Sequence, residues 1–207
     1  MRLVKALGLV CFTVVSIAPQ TARAQRSSDP GAYQLSLMTG IGLSDFTGTL
    51  GSHTSAGLGW TVRGAYQFIP NVAVEVTYFG ARNSLSDPRI SDGHTITTTS
   101  FTGDLKASTV FTVADNLPIE PYVFAGLGLG FFGVSGPPAV APGVPGGPLL
   151  YDSDSNVVIP LGLGANTIFT PIAVGLRFTY DINIANRISA EGRGNQYGLI
   201  ATIGLHY

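Results

Sequence analysis

Taken in steps of two, the chain alternates apolar residues with small or polar ones along eight separate stretches. In the first, Tyr33, Leu35, Leu37, Ile41 and Leu43 share one face, opposite Gln34, Ser36, Met38, Gly40 and Gly42. In the second, Leu58, Trp60, Val62, Tyr66 and Phe68 face away from Gly59, Thr61, Arg63, Ala65 and Gln67. The third sets Val72, Val74, Val76 and Tyr78 against Ala73, Glu75, Thr77 and Phe79, and the fourth sets Phe101, Leu105, Ala107, Phe111 and Val113 against Ser100, Thr102, Asp104, Lys106 and Ser108. Val123, Ala125, Leu127, Leu129 and Phe131 alternate with Phe124, Gly126, Gly128 and Gly130, and Leu161, Leu163 and Ala165 with Gly162, Gly164 and Asn166. Val174, Leu176, Phe178, Tyr180 and Ile182 oppose Gly175, Arg177, Thr179 and Asp181. The last stretch sets Tyr197, Leu199, Ala201, Ile203, Leu205 and Tyr207 against Gly198, Ile200, Thr202, Gly204 and His206. The pattern predicts eight strands of roughly 9 to 13 residues, where strands of soluble sheets run to about 5 or 6. A strand tilted near 45° crosses a bilayer in about 9 to 11 residues.

The joins carry a second pattern. Ser44 to Ser55 is long, Ile69-Pro70-Asn71 short, Arg82 to Thr95 long and Ala114 to Pro118 short; Ser135 to Asn156 is longest, Thr170-Pro171 very short and Asn183 to Asn195 long. Short turns at one end and long loops at the other are the plan of bacterial outer-membrane barrels. This predicts an all-β, eight-stranded antiparallel transmembrane β-barrel in the bacterial outer membrane, with both termini in the periplasm. Aromatic residues gather where the two interfaces belong: Tyr33, Tyr66, Phe68, Phe111 and Tyr207 at the periplasmic side, Trp60, Tyr78, Phe101 and Phe131 at the outer side. An eight-stranded barrel has an interior that side chains just fill, so glycine and small hydroxylic residues on the second face meet a volume requirement.

Composition fits this picture. Charged residues are 11% of the chain, against about 25% in soluble domains. Yet beyond the N-terminal segment no run nears the 18 apolar residues of a spanning helix; Tyr122 to Val134 is interrupted by Gly126, Gly128, Gly130 and Gly133. At the N-terminus Arg2 and Lys5 precede an apolar stretch from Ala6 to Ala18, followed by Ala22-Arg23-Ala24. That is the layout of a secretory signal peptide, residues 1–24, cleaved between Ala24 and Gln25, which leaves the barrel as residues 25–207. Cys11 lies inside the leader, so the exported part has no cysteine to form a disulfide. That part holds eight Arg and Lys against twelve Asp and Glu; with no basic patch, nucleic acid is not expected as a partner.

Pro121-Tyr122-Val123-Phe124-Ala125-Gly126-Leu127-Gly128-Leu129-Gly130 resembles the PYxxAGxGxG strand of OmpA-like and opacity-type outer-membrane barrel domains. The final strand, Gly198 to Tyr207, resembles their terminal assembly signal, carried by Tyr197, Leu199, Ile203, Leu205 and Tyr207. The resemblance covers essentially the whole exported chain. It implies insertion by the barrel-assembly machinery into a bilayer bearing lipopolysaccharide, a monomeric porin-like barrel, and no peptidoglycan-binding domain, since nothing follows Tyr207. The family includes adhesins and structural barrels, so it does not by itself name an activity.

Candidate chemistry is sparse. Arg63, Glu75, Asp104, Lys106, Arg177 and Asp181 all fall on the lumen face. Folding the second and third strands about Pro70 puts Arg63 beside Thr77 and Glu75 beside Ala65, leaving the two charges diagonal neighbours. Three acids and three bases in a narrow lumen predict a paired structural network; a gated ion path is the functional alternative. Glu120 shares the parity but falls at the periplasmic rim, where water is expected to reach it. His206 reads as an interface residue. His53 and His94 fall in external loops with Asp45, Asp87 and Asp92, the residue types of rim hydrolases, but without a triad or metal spacing. Asp152-Ser153-Asp154 lacks the rest of a calcium loop. The expectation is a non-enzymatic barrel without cofactor, serving envelope structure or contact with a host or surface ligand through its loops. A lipid A- or peptide-cleaving enzyme at the outer rim and a narrow solute channel are the alternatives.

Overall fold

A computed structural model of the chain describes residues 34–89, 93–113, 117–136, 150–184 and 194–207. The signal peptide with its cleavage point at Ala24 and Gln25, Tyr33, Asp92 and most of the Pro/Gly-rich third long loop lie outside the described residues.

Eight long strands form the wall: β1 (Gln34–Phe46), β2 (Gly57–Ile69), β3 (Val72–Ser84), β4 (Thr95–Ser108), β6 (Leu117–Ser135), β7 (Asp154–Phe169), β8 (Ile172–Ile184) and β9 (Gln196–His206). Each pairs antiparallel with its neighbours, and the β1–β9 and β4–β6 pairings close the sheet. Closure leaves no sheet edge, which lipid could not satisfy. A three-residue strand, β5 (Phe111–Val113), pairs with the start of β6. Here the expected fourth strand is corrected: it stops at Ser108, and Phe111 and Val113 belong to a hairpin extension at the short-turn end. The wall strands run from 11 to 19 residues, longer than expected, because β4, β6 and β7 continue past the apolar band.

The register fixes the shape. Neighbour by neighbour, Ile184 faces Val157, then Leu129, Phe101, Tyr78, Val62, Thr39 and Ile203, and the path returns to β8 at Val174. That offset of ten residues is the shear of the barrel. With a rise of about 3.3 Å per residue and strands about 4.8 Å apart, it tilts eight strands by about 40°. The turn at Pro70-Asn71 pins β2 to β3, with Asn71 in the left-handed region at φ 69°, a conformation its short amide tolerates.

Alternation sorts the side chains as the pleat requires. Leu37, Ile41, Val76, Leu105, Leu127 and Leu163 point outward and are exposed, whereas Arg63, Glu75, Asp104, Lys106, Glu120 and Arg177 are buried inside. A soluble protein would do the reverse. On β7, Gly162 and Gly164 lie directly under the inward rings of Phe124 and Tyr122, and a Cβ at either position would collide with them. Glycine there is space for an aromatic ring.

Candidate functional site

The interior is built in layers. Towards the short turns, His206 Nε2 lies 3.0 Å from Gln34 Oε1, next to a cavity of about 10 Å³ lined in part by Lys106, Glu120 and Arg63. Above it lies the charge layer. Glu75 sits between two guanidinium groups, with Arg63 Nη1 at 3.5 Å from its Oε2 and Arg177 Nη1 bonded to its Oε1. Arg177 Nη2 also reaches Asp104 Oδ2 at 3.4 Å, and Thr77 Oγ1 lies 3.0 Å from the same oxygen. Arg63 donates to Tyr122 Oη at 3.0 Å and to Asn166 Oδ1 and Thr202 Oγ1, each at 3.4 Å. The Asn166 amide in turn donates to Glu120 Oε2 at 2.8 Å, and Lys106 Nζ donates to Glu120 Oε1 at 2.7 Å. Aromatic faces support the cations: Lys106 Nζ is 4.7 Å from the Tyr122 centroid, and Arg177 Cζ is 3.4 Å from that of Phe124.

Five of the six lumen charges expected to meet, Arg63, Glu75, Asp104, Lys106 and Arg177, thus belong to one connected system. Asp181 is buried beside it but its carboxylate makes no hydrogen bond or ion pair with the described residues; it lines a second cavity of about 20 Å³ with Thr61, Thr77, Ser100, Thr102 and Thr179. Each cavity has room for about one water. Glu120 corrects the expectation of a wet rim residue. It is only 4% exposed and completes the fourth acid–base contact, because β6 starts deeper in the short-turn-end hairpin than its sequence position suggests. Tyr122 and Asn166 were not singled out in the sequence, although their inward parity was available there and the β6–β7 register brings Asn166 opposite Glu120.

Towards the long loops the chemistry changes. Gln196 Nε2 donates to Ser44 Oγ at 2.9 Å, and Phe79, Ala81 and Ile200 form a small apolar layer. Over the mouth lies a second core of Phe46, Leu50, Leu85, Ile96, Phe132 and Tyr151. Leu50, 1% exposed, comes from a helical turn α1 (Gly48–Gly51) in the first long loop. That loop bonds to the second through Thr54–Leu85 pairing and through Ser86 N to His53 O at 2.7 Å. The described parts of the long loops therefore form a packed cap. At its top, Asp87 accepts hydrogen bonds from the Arg89 side chain, including Nη2 at 2.6 Å, and from Tyr151 Oη at 2.6 Å. The Arg89 bonds hold the Asp87 carboxyl below the usual carboxylate range, while burial, reinforced by Asp87, holds the Tyr151 phenol above its usual one.

Among the described residues, His53 and Asp87 do not form a proton relay. His53 Nδ1 is 3.9 Å from Asp87 Oδ2, beyond hydrogen-bond reach, and Asp87 is already committed to Arg89 and Tyr151. His94 is buried, 2% exposed, with its ring packed against Gly136. Asp45 accepts from Thr54 and from the Phe46 amide. Asp152 and Asp154 join no metal-ligand cluster, and none occurs among the described residues.

A closed eight-stranded wall with apolar residues outward and a polar, filled interior suits only a membrane barrel. The family model of the outer membrane protein beta-barrel domain matches residues 7–206. The chain belongs to that family. It is accordingly a transmembrane barrel of the bacterial outer membrane. Among solved structures it is similar to Neisserial surface protein A, at 15% identity over 83% of this chain and 96% of that one, with a TM-score of 0.57. It is also similar to Ail, the attachment invasion locus protein of Yersinia pestis, in complex with the heparin analogue sucrose octasulfate: 13% identity, 84% of this chain, 99% of that one, TM-score 0.53. At such identities the likeness concerns the fold. No curated protein matches the sequence.

Proposed function

We propose that this protein is a non-catalytic barrel, closed to solutes, that serves as a wall element of the envelope and meets other surfaces through its folded cap. The bridged charge layer carries this reading. Arg177 is held by Glu75 across the lumen and Arg63 and Lys106 by acids on adjoining strands, and parting them would leave bare charges in a low-dielectric interior. The cap supports the same reading, since it covers the mouth with side chains that bury one another. In this proposal both termini are periplasmic and the long loops face outward. The barrel-assembly machinery reads the closing strand, whose Tyr197, Leu199, Ile203, Leu205 and Tyr207 point outward. Lipid, lipopolysaccharide included, surrounds the wall, and any host or surface ligand meets the loops.

The test is single-channel recording of the purified, refolded protein in planar bilayers. The expected trace is flat, with no steady unitary level; a reproducible open level would return the solute channel to first place. Surface contact is tested by trimming the first three long loops, which should abolish adhesion while heat-dependent gel mobility still reports a folded barrel.

A further inference from the structure

The outward face of the wall is apolar over most of its height, with one local exception. Among the described residues, Arg63, Lys106 and Arg177 point into the lumen and Arg89 belongs to the cap, so Arg82 is the basic residue that points outward from the wall. Its side chain is exposed and makes no hydrogen bond or ion pair with another described residue. On β3 the outward positions run Val74, Val76, Tyr78, Gly80, Arg82, so the guanidinium lies two outward positions beyond the aromatic level towards the long loops. Tyr78 stacks obliquely on Phe101 at 5.2 Å. The Trp60 indole lies against Gly80, where a Cβ would strike the ring. These rings make an apolar shelf directly beneath Arg82. Its register partners are Leu58 and Thr97, and Thr95, Thr97 and Thr99 put three hydroxyls on the same outward face of β4.

We infer that this patch is a binding site for a phosphorylated glycolipid of the outer leaflet, with Arg82 on the phosphate, the β4 hydroxyls on the sugar and the Trp60–Tyr78–Phe101 shelf against the acyl chains. The inference rests on the proposed orientation with the long loops outward. A guanidinium without a counter-charge among the described residues, at the level where acyl chains give way to headgroups, is matched by a phosphate that it can engage with two parallel hydrogen bonds. Burying or pairing Arg82 within the chain would have been the alternative use of the charge, and it is the use made of Arg63 and Arg177. The adjoining hydroxyl ladder favours a sugar-borne phosphate over a phospholipid headgroup, which offers fewer partners to a row of threonines.

The experiment uses the full chain refolded into phosphatidylcholine nanodiscs containing limiting diphosphoryl lipid A, with retained lipid counted by native mass spectrometry. The wild-type protein is expected to retain the lipid. Arg82→Gln should weaken retention about fivefold, as expected for one interfacial charge, while Arg82→Lys should keep most of it. Equal retention by Arg82→Gln overturns the proposal. So does equal retention of lipid A stripped of its phosphates, or of phosphatidylglycerol, by the wild type. Heat-dependent gel mobility confirms that each variant is folded. The orientation is read separately by labelling Ser52→Cys, in the exposed first loop, with a membrane-impermeant maleimide on intact cells. An unlabelled cap overturns the orientation and the proposal with it; a labelled cap with equal retention overturns the proposal alone.

Discussion

In the charge layer every spanning strand except β1 contributes a side chain, from Arg63 on β2 to Thr202 on β9. The cap, by contrast, is built where strands end, from Phe46 at the tip of β1, Phe132 near the tip of β6, and loop residues Leu50, Leu85 and Tyr151. The first region closes the lumen by pairing charges that cannot be left bare, the second by removing apolar surface from water. The layer is cross-braced by a closed sheet and cannot loosen without the barrel. The described ties of the cap run to strand ends and between loops, so the cap is expected to loosen while the wall stays intact. Seals of the same lumen should therefore fail separately and under different conditions.

The largest effect is expected from Glu75→Ala, which leaves Arg63 and Arg177 facing each other without the carboxylate they share. A loss of about 3–5 kcal/mol is expected, read as a lower urea midpoint for the loss of the folded band on unheated gels. Asp181→Asn, which removes a buried acid with no bridge, should cost under about 1 kcal/mol in the same assay; equal losses would show that bridging is not what matters. Next comes Leu50→Ala. It should destabilise the cap by about 2–5 kcal/mol and expose the first loop to protease, with the barrel's urea midpoint unchanged. A coupled fall in both would erase the distinction drawn here.

A smaller effect than either Glu75→Ala or Leu50→Ala separates the two regions by pH. Asp87 has a lowered pKa, so its contribution is present at neutral pH, persists below the ordinary value of 3.8, and disappears only as the pH falls through the depressed value. Tyr151 has a raised pKa, so its contribution is complete below pH 10 and is lost as the pH rises beyond it. The cap should therefore tolerate mild acid and loosen in alkali. Tyr151→Phe should cost about 1–2 kcal/mol at neutral pH and abolish the alkaline step, as measured by hydrogen exchange of first-loop amides corrected for their intrinsic pH dependence.

What could be read from the sequence follows the same division. Inward parity of Arg63, Glu75, Asp104, Lys106 and Arg177 follows from a period of two, and the Pro70-Asn71 turn sets Arg63 against Thr77 and Glu75 against Ala65. The partner of Lys106 does not follow, since it depends on where the hairpin extension Phe111–Ile119 ends and how far the barrel shears. Nothing periodic announces the cap. Leu50 is a single apolar residue between Thr49 and Gly51, and Tyr151 follows a loop whose Pro and Gly content suggests only irregular chain. Their burial comes from several loops arriving together, which no one segment encodes. The hydroxyls and acids of these loops suggested chemistry at the rim; in the structure they tie the loops to one another.

Trp60, seated on Gly80 in the outward wall, is the only tryptophan in the chain. The protein thus carries a single indole, excitable apart from its tyrosines at long wavelength, and it sits at one place on the outward wall. Its emission should shift to the blue on insertion, and brominated acyl chains of graded position should quench it to different extents, giving the depth of that ring, and hence of Arg82 above it, without a label. Because the indole faces away from the lumen, the same signal should be indifferent to the state of the charge layer and of the cap. A depth measurement made this way would be a ruler for the wall alone.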